Sequence, residues 1–405
     1  MKSMGNLACP VEERKKAATH NQNPLVNIER RHTVHDTNVN HLSALEQAMQ
    51  QHLDNLTKPK GSLGKLESYA CKLACIQGTV PPHIHKRAVF VFAGDHGITQ
   101  EGVSLYPPEV TAQMVHNFMA GGAAINVLAR HCGFDLYAVD AGVQADFPAS
   151  WQDNPQGKDS SAHPPQGMAS PRFISAKVVR GTRNFYKEPA LTEEEFTACL
   201  EKGKELALFA QKQGYQLVAL GDMGIGNTSS AAALAVAFGF TPEEIIDRGT
   251  GIDAAMLAHK YQVITKAVAQ FLQRHPQPTA AQIGAFFGGA ELVMTAGFIL
   301  GLEGKNIACV IDGFPITSAA LLAYRLNPRV TDWLFAGHRS HVKGHTPLLN
   351  YLGLEPIVQL DMRLGEGTGA VIGSFILSLS AAIANEMASF SQAGVSTATK
   401  EEQQY

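Results

Sequence analysis

From residue 88 onward the chain alternates between two hydrophobic rhythms. Short, continuous apolar runs end on glycine and a polar residue, and longer stretches with helical spacing lie between them. Residues 88–93 run into Gly94-Asp95-His96-Gly97, and residues 135–139 into Asp140-Ala141-Gly142. Residues 217–220 run into Gly221-Asp222-Met223-Gly224, residues 307–311 into Asp312-Gly313, and residues 333–335 into Ala336-Gly337-His338. Runs that are apolar at every position suit strands covered on both faces, and their alternation with helices suits βα units and a parallel sheet. Open α/β sheets bind ligands beyond the carboxyl ends of their strands. Five strand ends carrying Gly with Asp or His therefore point to an active site there. One such end would mean little, because Gly and Asp also make ordinary turns.

The flanks read differently. Leu42, Leu45 and Met49, then Leu66, Tyr69, Ala70 and Leu73, recur at helical spacing and predict two helices within 39–77. A turn-rich break, Thr57-Lys58-Pro59-Lys60-Gly61-Ser62, separates them. Residues 1–38 and 391–405 are polar without a period and read as tails. Residues 144–172, rich in Pro, Gln, Ser and Asp, read as an inserted surface loop. The stretch 367–385 carries no charge but is laced with Ser, Thr and Gly. It is marginal against the ~20 predominantly apolar residues of a membrane span, and predicts a buried helix instead. The expected division is a helical segment at 39–85, an α/β body at 86–369 and a C-terminal helix at 370–390.

Composition narrows the class. With 45% apolar and 17% charged residues the chain is an ordinary globular protein, and its 405 residues can bury a large core. A net charge of −3 offers no basic excess for nucleic acid or an acidic membrane surface. The six cysteines form no CxxC, and Cys71 and Cys75 stand one helical turn apart, which suits incidental thiols in a reducing cytoplasm. The N-terminus has no apolar core of the kind a secretory leader needs.

Three segments can carry chemistry. The glycines of Gly221-Asp222-Met223-Gly224-Ile225-Gly226-Asn227 precede an apolar helical stretch and can expose backbone N–H groups to a phosphate or carboxylate. No Gly-Lys-Ser/Thr follows, so this is not a P-loop. The same residues would equally make a tight turn with Asn227 or Thr228 as helix N-cap. In Arg363-Leu364-Gly365-Glu366-Gly367-Thr368-Gly369 a single carboxylate sits among glycines. Substrate could approach it closely, and partial desolvation would make it a better base; a solvated loop Glu has the same look. His338, His341 and His345 have metal-like spacing, but Arg339 and Lys343 interrupt them and match no zinc pattern, so anion binding is expected. Enzymes acting on pyrophosphorylated ribose carry adjacent acidic residues after a hydrophobic strand. Here Asp312 stands alone, and a magnesium-pyrophosphate mechanism has no anchor.

Taken together, six segments resemble one family, the nicotinate-nucleotide–dimethylbenzimidazole phosphoribosyltransferases. They are Leu56-Thr57-Lys58-Pro59-Lys60-Gly61-Ser62-Leu63-Gly64-Lys65-Leu66; Ala93-Gly94-Asp95-His96-Gly97; Glu101-Gly102-Val103 with Pro107 and Val110-Thr111; the 221–228 segment; Asp312-Gly313-Phe314 with Ser318-Ala319-Ala320-Leu321; and 363–370. They occur in family order between about 40 and 390. The resemblance implies a Rossmann-like parallel sheet flanked by helices, with a small helical domain formed from both chain ends, assembled as a homodimer. It implies transfer of phosphoribose from nicotinate mononucleotide to dimethylbenzimidazole without metal or cofactor, and no nucleic-acid or membrane partner. It places the general base at Glu366, and Lys260 and Ser340 near the 5′-phosphate, with Lys260 following the turn Gly249-Thr250-Gly251. Asp222, Gly224, Asn227, Gly251 and Glu101 are then expected to line the substrates, with Tyr106 and Leu364 as walls for the flat acceptor. One position departs: the family often has Glu where this chain has Asp222, shortening the reach by one methylene. Three other readings stay open: the same fold acting on another base or a phenol, a non-catalytic nucleotide-binding regulator, and a zinc hydrolase built on the three histidines.

Overall fold

Seven parallel strands make one sheet, and the order in which they lie decides where a ligand can enter. The computed structural model describes residues 36–152, 170–247, 251 and 253–396, which fall in one compact unit. The expected tails and insertion therefore lie largely outside the described residues. The strands are β1 (Arg87–Gly94), β2 (Asp135–Gly142), β3 (Arg172–Ser175), β4 (Leu217–Met223), β5 (Ala308–Ile311), β6 (Leu334–Arg339) and β7 (Pro356–Gln359). Across the sheet they run β3-β2-β1-β4-β5-β6-β7. The chain steps outward from β1 in one direction, then returns and steps outward from β4 in the other. Such a reversal opens a crevice between the loops that follow the two central strands.

The continuous apolar runs are explained by burial on both faces. Phe90, Phe92, Tyr137, Val139, Val218 and Leu220 point into one core. Their neighbours Val89, Val91, Leu136, Ala138, Leu217 and Ala219 point into another. Helices Glu193–Lys212 and Ala290–Gly301 cover the first face, supplying Phe196, Cys199, Val293 and Met294. Helices Glu109–Ala120, Ala124–Cys132 and Thr368–Glu386 cover the second, supplying Phe118, Ile125, Val371 and Leu377. Each large side chain buried this way contributes roughly 1.5–3 kcal/mol against exposure.

The five expected strands are present. The two that apolar runs did not announce, β3 and β7, are the outermost and have four residues each. An edge strand has one neighbour and needs only a short, half-buried run, so its pattern merges with that of a loop. Several inner strands also run past their apolar segment. β4 continues through Asp222, whose Cα pairs with that of Phe92. The 367–385 stretch is the helix Thr368–Glu386, with Ala370, Val371, Leu377 and Ala381 buried. By length and composition it could cross a membrane, but here it is a core helix lying on the sheet.

Its far end meets the N-terminal helices Asp36–Asp54 and Lys65–Gln77 in a small cluster of Met49, Leu53, Leu56, Ala70, Ala74 and Ala384. The break between those two helices is closed by a buried ion pair, Lys58 Nζ to Glu67 Oε1 at 2.8 Å. Glu67 Oε1 also accepts from the Leu63 amide.

Helices Glu193–Lys212 and Ala290–Gly301 cross backbone to backbone. A Cβ on Gly203 would stand 2.1 Å from the Met294 carbonyl oxygen, and one on Gly297 would stand 2.2 Å from that of Leu200. Neither position tolerates a methyl unless the helices part. Gly297→Ala is therefore expected to lower unfolding stability by about 1–3 kcal/mol, the usual cost of overpacking. A urea midpoint equal to that of the unsubstituted protein would contradict this crossing.

Candidate active site

Beyond the carboxyl ends of β4 and β5, one loop is pressed onto the sheet by the absence of side chains. A Cβ on Gly221 would stand 2.3 Å from the Gly367 amide nitrogen and 2.4 Å from the Glu366 carbonyl carbon. The loop therefore lies directly on β4, and the Glu366 amide donates to the Asp222 carbonyl at 3.2 Å. Gly365, Glu366 and Gly367 all have left-handed backbones, with φ of 86°, 64° and 86°. Glycine accepts that conformation freely, while it costs a residue with a Cβ roughly 1–2 kcal/mol. Glu366 is the residue with a Cβ that adopts it here. The carboxylate is buried, and its Oε2 meets no hydrogen-bond partner among the described residues.

Asp312, at the end of β5, holds the loop from beneath. Its two oxygens accept from the amides of Gly367 and Ala370, each at 3.0 Å. His338 Nε2 lies 3.5 Å from Asp312 Oδ1, and its ring occupies the space a Cβ on Gly369 would need. Asp222 lies on the other side of the loop. Its Oδ2 accepts from Asn227 Nδ2 at 2.7 Å, and its Oδ1 has no partner among the described residues. Burial pushes the Asp222 carboxyl well above the usual carboxylate range, and the charges of Asp312, Glu291 and Glu366 push it the same way. Burial also raises Glu366, against the Ile125 amide, which favours its charge.

The next turn faces the opposite sign. The helix Asn227–Ala237 begins after Gly226, whose φ is 94°. Beside its first turn the buried Lys260 Nζ donates to Thr228 Oγ1 at 2.9 Å. Burial lowers this lysine to about 8. A helix N-terminus with a desolvated ammonium beside it suits a phosphate.

A family model described as phosphoribosyltransferase matches residues 40–395. A nicotinate-nucleotide–dimethylbenzimidazole phosphoribosyltransferase of Geobacter sulfurreducens is 45% identical over 347 residues, covering 85% of this chain and 92% of the relative. One from Chlorobaculum tepidum is 44% identical over 353 residues, covering 87% and 94%. The crystal structure of CobT from Thermus thermophilus superposes with a TM-score of 0.78 at 42% identity, covering 88% of this chain and 100% of that one. This chain belongs to the nicotinate-nucleotide–dimethylbenzimidazole phosphoribosyltransferase family.

Within that family frame, the expected site residues fall into groups. Hydrogen bonds and direct packing bring together Glu366, Asp222, Asn227 and Gly224, whose missing Cβ lets the Gly94 carbonyl approach. Lys260 joins through Thr228. Ser340 donates to the Met362 carbonyl at 3.2 Å, anchoring the loop that leads to Leu364. Tyr106 and Leu364 are half-exposed. Gly251 is exposed with φ of 124°, and its neighbours 248–250 and 252 lie outside the described residues. Glu101 is engaged elsewhere: Oε1 accepts from Asn184 Nδ2 at 2.6 Å and lies 3.5 Å from Lys187 Nζ.

Two readings need correction. Neither Asn227 nor Thr228 caps the helix. The N-cap is Gly226, and the Asn227 amide is turned back onto Asp222, which as a buried carboxylate needs a donor more than the helix end does. The three histidines do not converge. His341 is exposed, and His345 uses both ring nitrogens, Nδ1 accepting from the Ser340 amide at 2.9 Å and Nε2 facing Thr317 Oγ1 at 2.9 Å. Burial holds His345 neutral, at about 3.

Three residues had no role assigned from sequence: the loop anchor Asp312 and the buried pair His96 and Glu291, whose Nε2 and Oε1 are 2.6 Å apart. A signal existed for Glu291. It is the single charged residue in the apolar helix Ala290–Gly301, directly after Gly288-Gly289. Because Gly221 sets the height of the Glu366 loop, Gly221→Ala is expected to abolish most transferase turnover while leaving the far-ultraviolet circular dichroism unchanged. Full turnover in that variant would show that the loop need not lie against β4.

Proposed function

We propose that this protein transfers the 5-phosphoribosyl group of nicotinate mononucleotide to 5,6-dimethylbenzimidazole, giving α-ribazole 5′-phosphate and nicotinate, in assembly of the cobalamin nucleotide loop. The observation that carries the reading is Glu366, a buried carboxylate with a free oxygen, held in a strained turn at the reversal point of the sheet. The activity named for its relatives requires one such group.

The chemistry explains why one is enough. A benzimidazole ring nitrogen attacks C1′ of the ribose. The bond from C1′ to the pyridinium nitrogen breaks, and its electron pair returns to the ring, which leaves as neutral pyridine nitrogen without a general acid. Attack from the opposite face inverts C1′ and gives the α-linkage. The alkylated benzimidazole then holds one proton too many, on its other nitrogen, and Glu366 takes it. A carboxylate raised by burial is a stronger base for that step. Alignment of the two reactants supplies up to ~7–11 kcal/mol of the barrier. No step calls for a metal or cofactor. The same reading carries a homodimer working on small molecules in the cytoplasm, without membrane or nucleic-acid partners.

Incubation with both substrates and a chelator is expected to yield a product with the mass of α-ribazole 5′-phosphate. Absence of that product sinks the assignment. Glu366→Gln keeps size but cannot take a proton, so kcat should fall by ~10²–10⁴. Asp222→Asn should cost less, since a single proton needs one acceptor. If Glu366→Gln retains kcat while Asp222→Asn is dead, the two roles are exchanged.

Lys260 is read as the 5′-phosphate ligand. Burial disfavours its charge, and a bound phosphate would restore it. The ammonium is present below about 8 and lost as pH rises through that value, so kcat/KM for nicotinate mononucleotide should decline above pH ~8. Lys260→Ala should raise KM for the nucleotide more than for the benzimidazole and remove this alkaline decline. Equal effects on both substrates would reject the phosphate role.

A further inference from the structure

The segment 338–345 carries three histidines that the proton transfer above does not use, and one of them, His345, is wholly buried. Its Nδ1 accepts from the Ser340 amide at 2.9 Å. An accepting ring nitrogen carries no proton, so the ring N–H is assigned to Nε2, which donates to Thr317 Oγ1 at 2.9 Å. Both nitrogens are used, and only one tautomer uses them this way. Burial lowers the ring to about 3, so it stays neutral and keeps that tautomer at working pH.

What the ring holds lies one step away. Ser340 Oγ donates to the Met362 carbonyl at 3.2 Å, and the His341 amide donates to the same oxygen at 3.0 Å. Donors from two consecutive residues thus meet one carbonyl. Met362 lies between the end of β7 at Gln359 and the strained turn at Glu366. Its neighbours Leu360, Asp361, Arg363 and Leu364 are exposed, and Asp361 has a left-handed φ of 52°. A non-glycine residue keeps such a backbone where its surroundings over-determine it, and the doubly bonded Met362 carbonyl is next to it.

The same segment reaches the loop from its other side. A Cβ on Gly369 would stand 2.1 Å from His338 Cδ2, and one on Gly337 would stand 2.6 Å from the Ala370 Cα. Residues 337–341 therefore grip the chain both before Glu366 and after it. His345 closes this grip. As the first residue of the helix His345–Leu352 it bonds back to Ser340, and it bonds across to Thr317 on the helix Phe314–Leu326, which follows Asp312.

We propose that His345 is a positioning residue of the reaction: by accepting the Ser340 amide it fixes the turn whose two donors hold Met362, and so sets the place of Glu366 four residues on. The proposal rests on the phosphoribosyl-transfer reading above. It gives the Glu366 loop an anchor on its N-terminal side, where Asp312 supplies one on the C-terminal side through the Gly367 and Ala370 amides.

A ring that merely filled space would have no preference between its nitrogens, and two substitutions separate them. In His345→Asn the side-chain oxygen stands where Nδ1 does and can accept from Ser340. In His345→Gln the longer side chain reaches the place of Nε2 and leaves the Ser340 amide without its acceptor. The readout is kcat and KM for both substrates. His345→Gln should lower kcat about 10–100-fold, with KM for nicotinate mononucleotide within about threefold of wild type, because a small displacement of the base costs turnover more than binding. His345→Asn should keep kcat within about threefold of wild type, since the Nδ1 contact survives. Equal losses in the two variants, or a His345→Gln enzyme with retained kcat and a raised KM for the nucleotide, overturn the proposal. If either variant does not fold, the decision passes to nitrogen NMR of the His345 ring in wild type. A neutral ring protonated on Nε2 at both pH 6 and pH 8 is expected, and a proton on Nδ1 at pH 6 overturns the proposal. Failure of the underlying reading looks different, since wild type would then make no α-ribazole 5′-phosphate.

Discussion

The structure depends on how negative charge is buried at the carboxyl edge of the sheet. A carboxylate taken out of water is costly unless N–H groups or a cation meet it. Asp312 meets this demand by collecting the first amides of the helix Thr368–Glu386, groups that would otherwise lack partners at a helix start. That contact joins β5, the 365–367 loop and the longest core helix on that face of the sheet. The position of Glu366 follows from it. The loop cannot rise from the sheet without exposing those amides, and it cannot sink because Gly221 already brings it into backbone contact.

Glycine does the complementary work. Gly94, Gly224 and Gly289 leave room for the His96–Glu291 pair, Gly221 for the loop, and Gly369 for the His338 ring. Each is a place where a methyl would overlap another atom. The 37 glycines, roughly a third more than average usage of ~7% would give, are in these cases closely packed and not flexible. The site is thereby built from backbone as much as from side chains, which lets several acidic groups crowd into a small volume.

This explains what could be read in advance. The five inner strands were legible because burial on both faces leaves an unbroken apolar run, as in residues 88–93, while β3 and β7 lost that signal at the edges. Glu366 was legible because its own glycines surround it in sequence. Asp312, His96 and Glu291 were harder, because their partners lie 55 to 195 residues away and no spacing rule reaches that far. The Asn227 cap failed for a related reason. The local rule was sound, but a carboxylate five residues back offered the side chain a better partner than the helix end.

The chemistry fits a site of this kind. A pyridinium needs no acid to leave, so the protein must accept one proton and hold two flat rings on opposite sides of a sugar. A single acceptor is easily confused by neighbouring carboxylates, each of which could take the proton in its place. Amides meet both oxygens of Asp312, His96 meets one oxygen of Glu291, and Asn227 meets one oxygen of Asp222. Asp222 sits within β4, a short side chain with its Oδ2 against Asn227. Glu366, one methylene longer, stands instead on the loop pressed against that strand, with Oε2 meeting no partner among the described residues, so of the two carboxyls it is the one placed to follow a proton on a substrate.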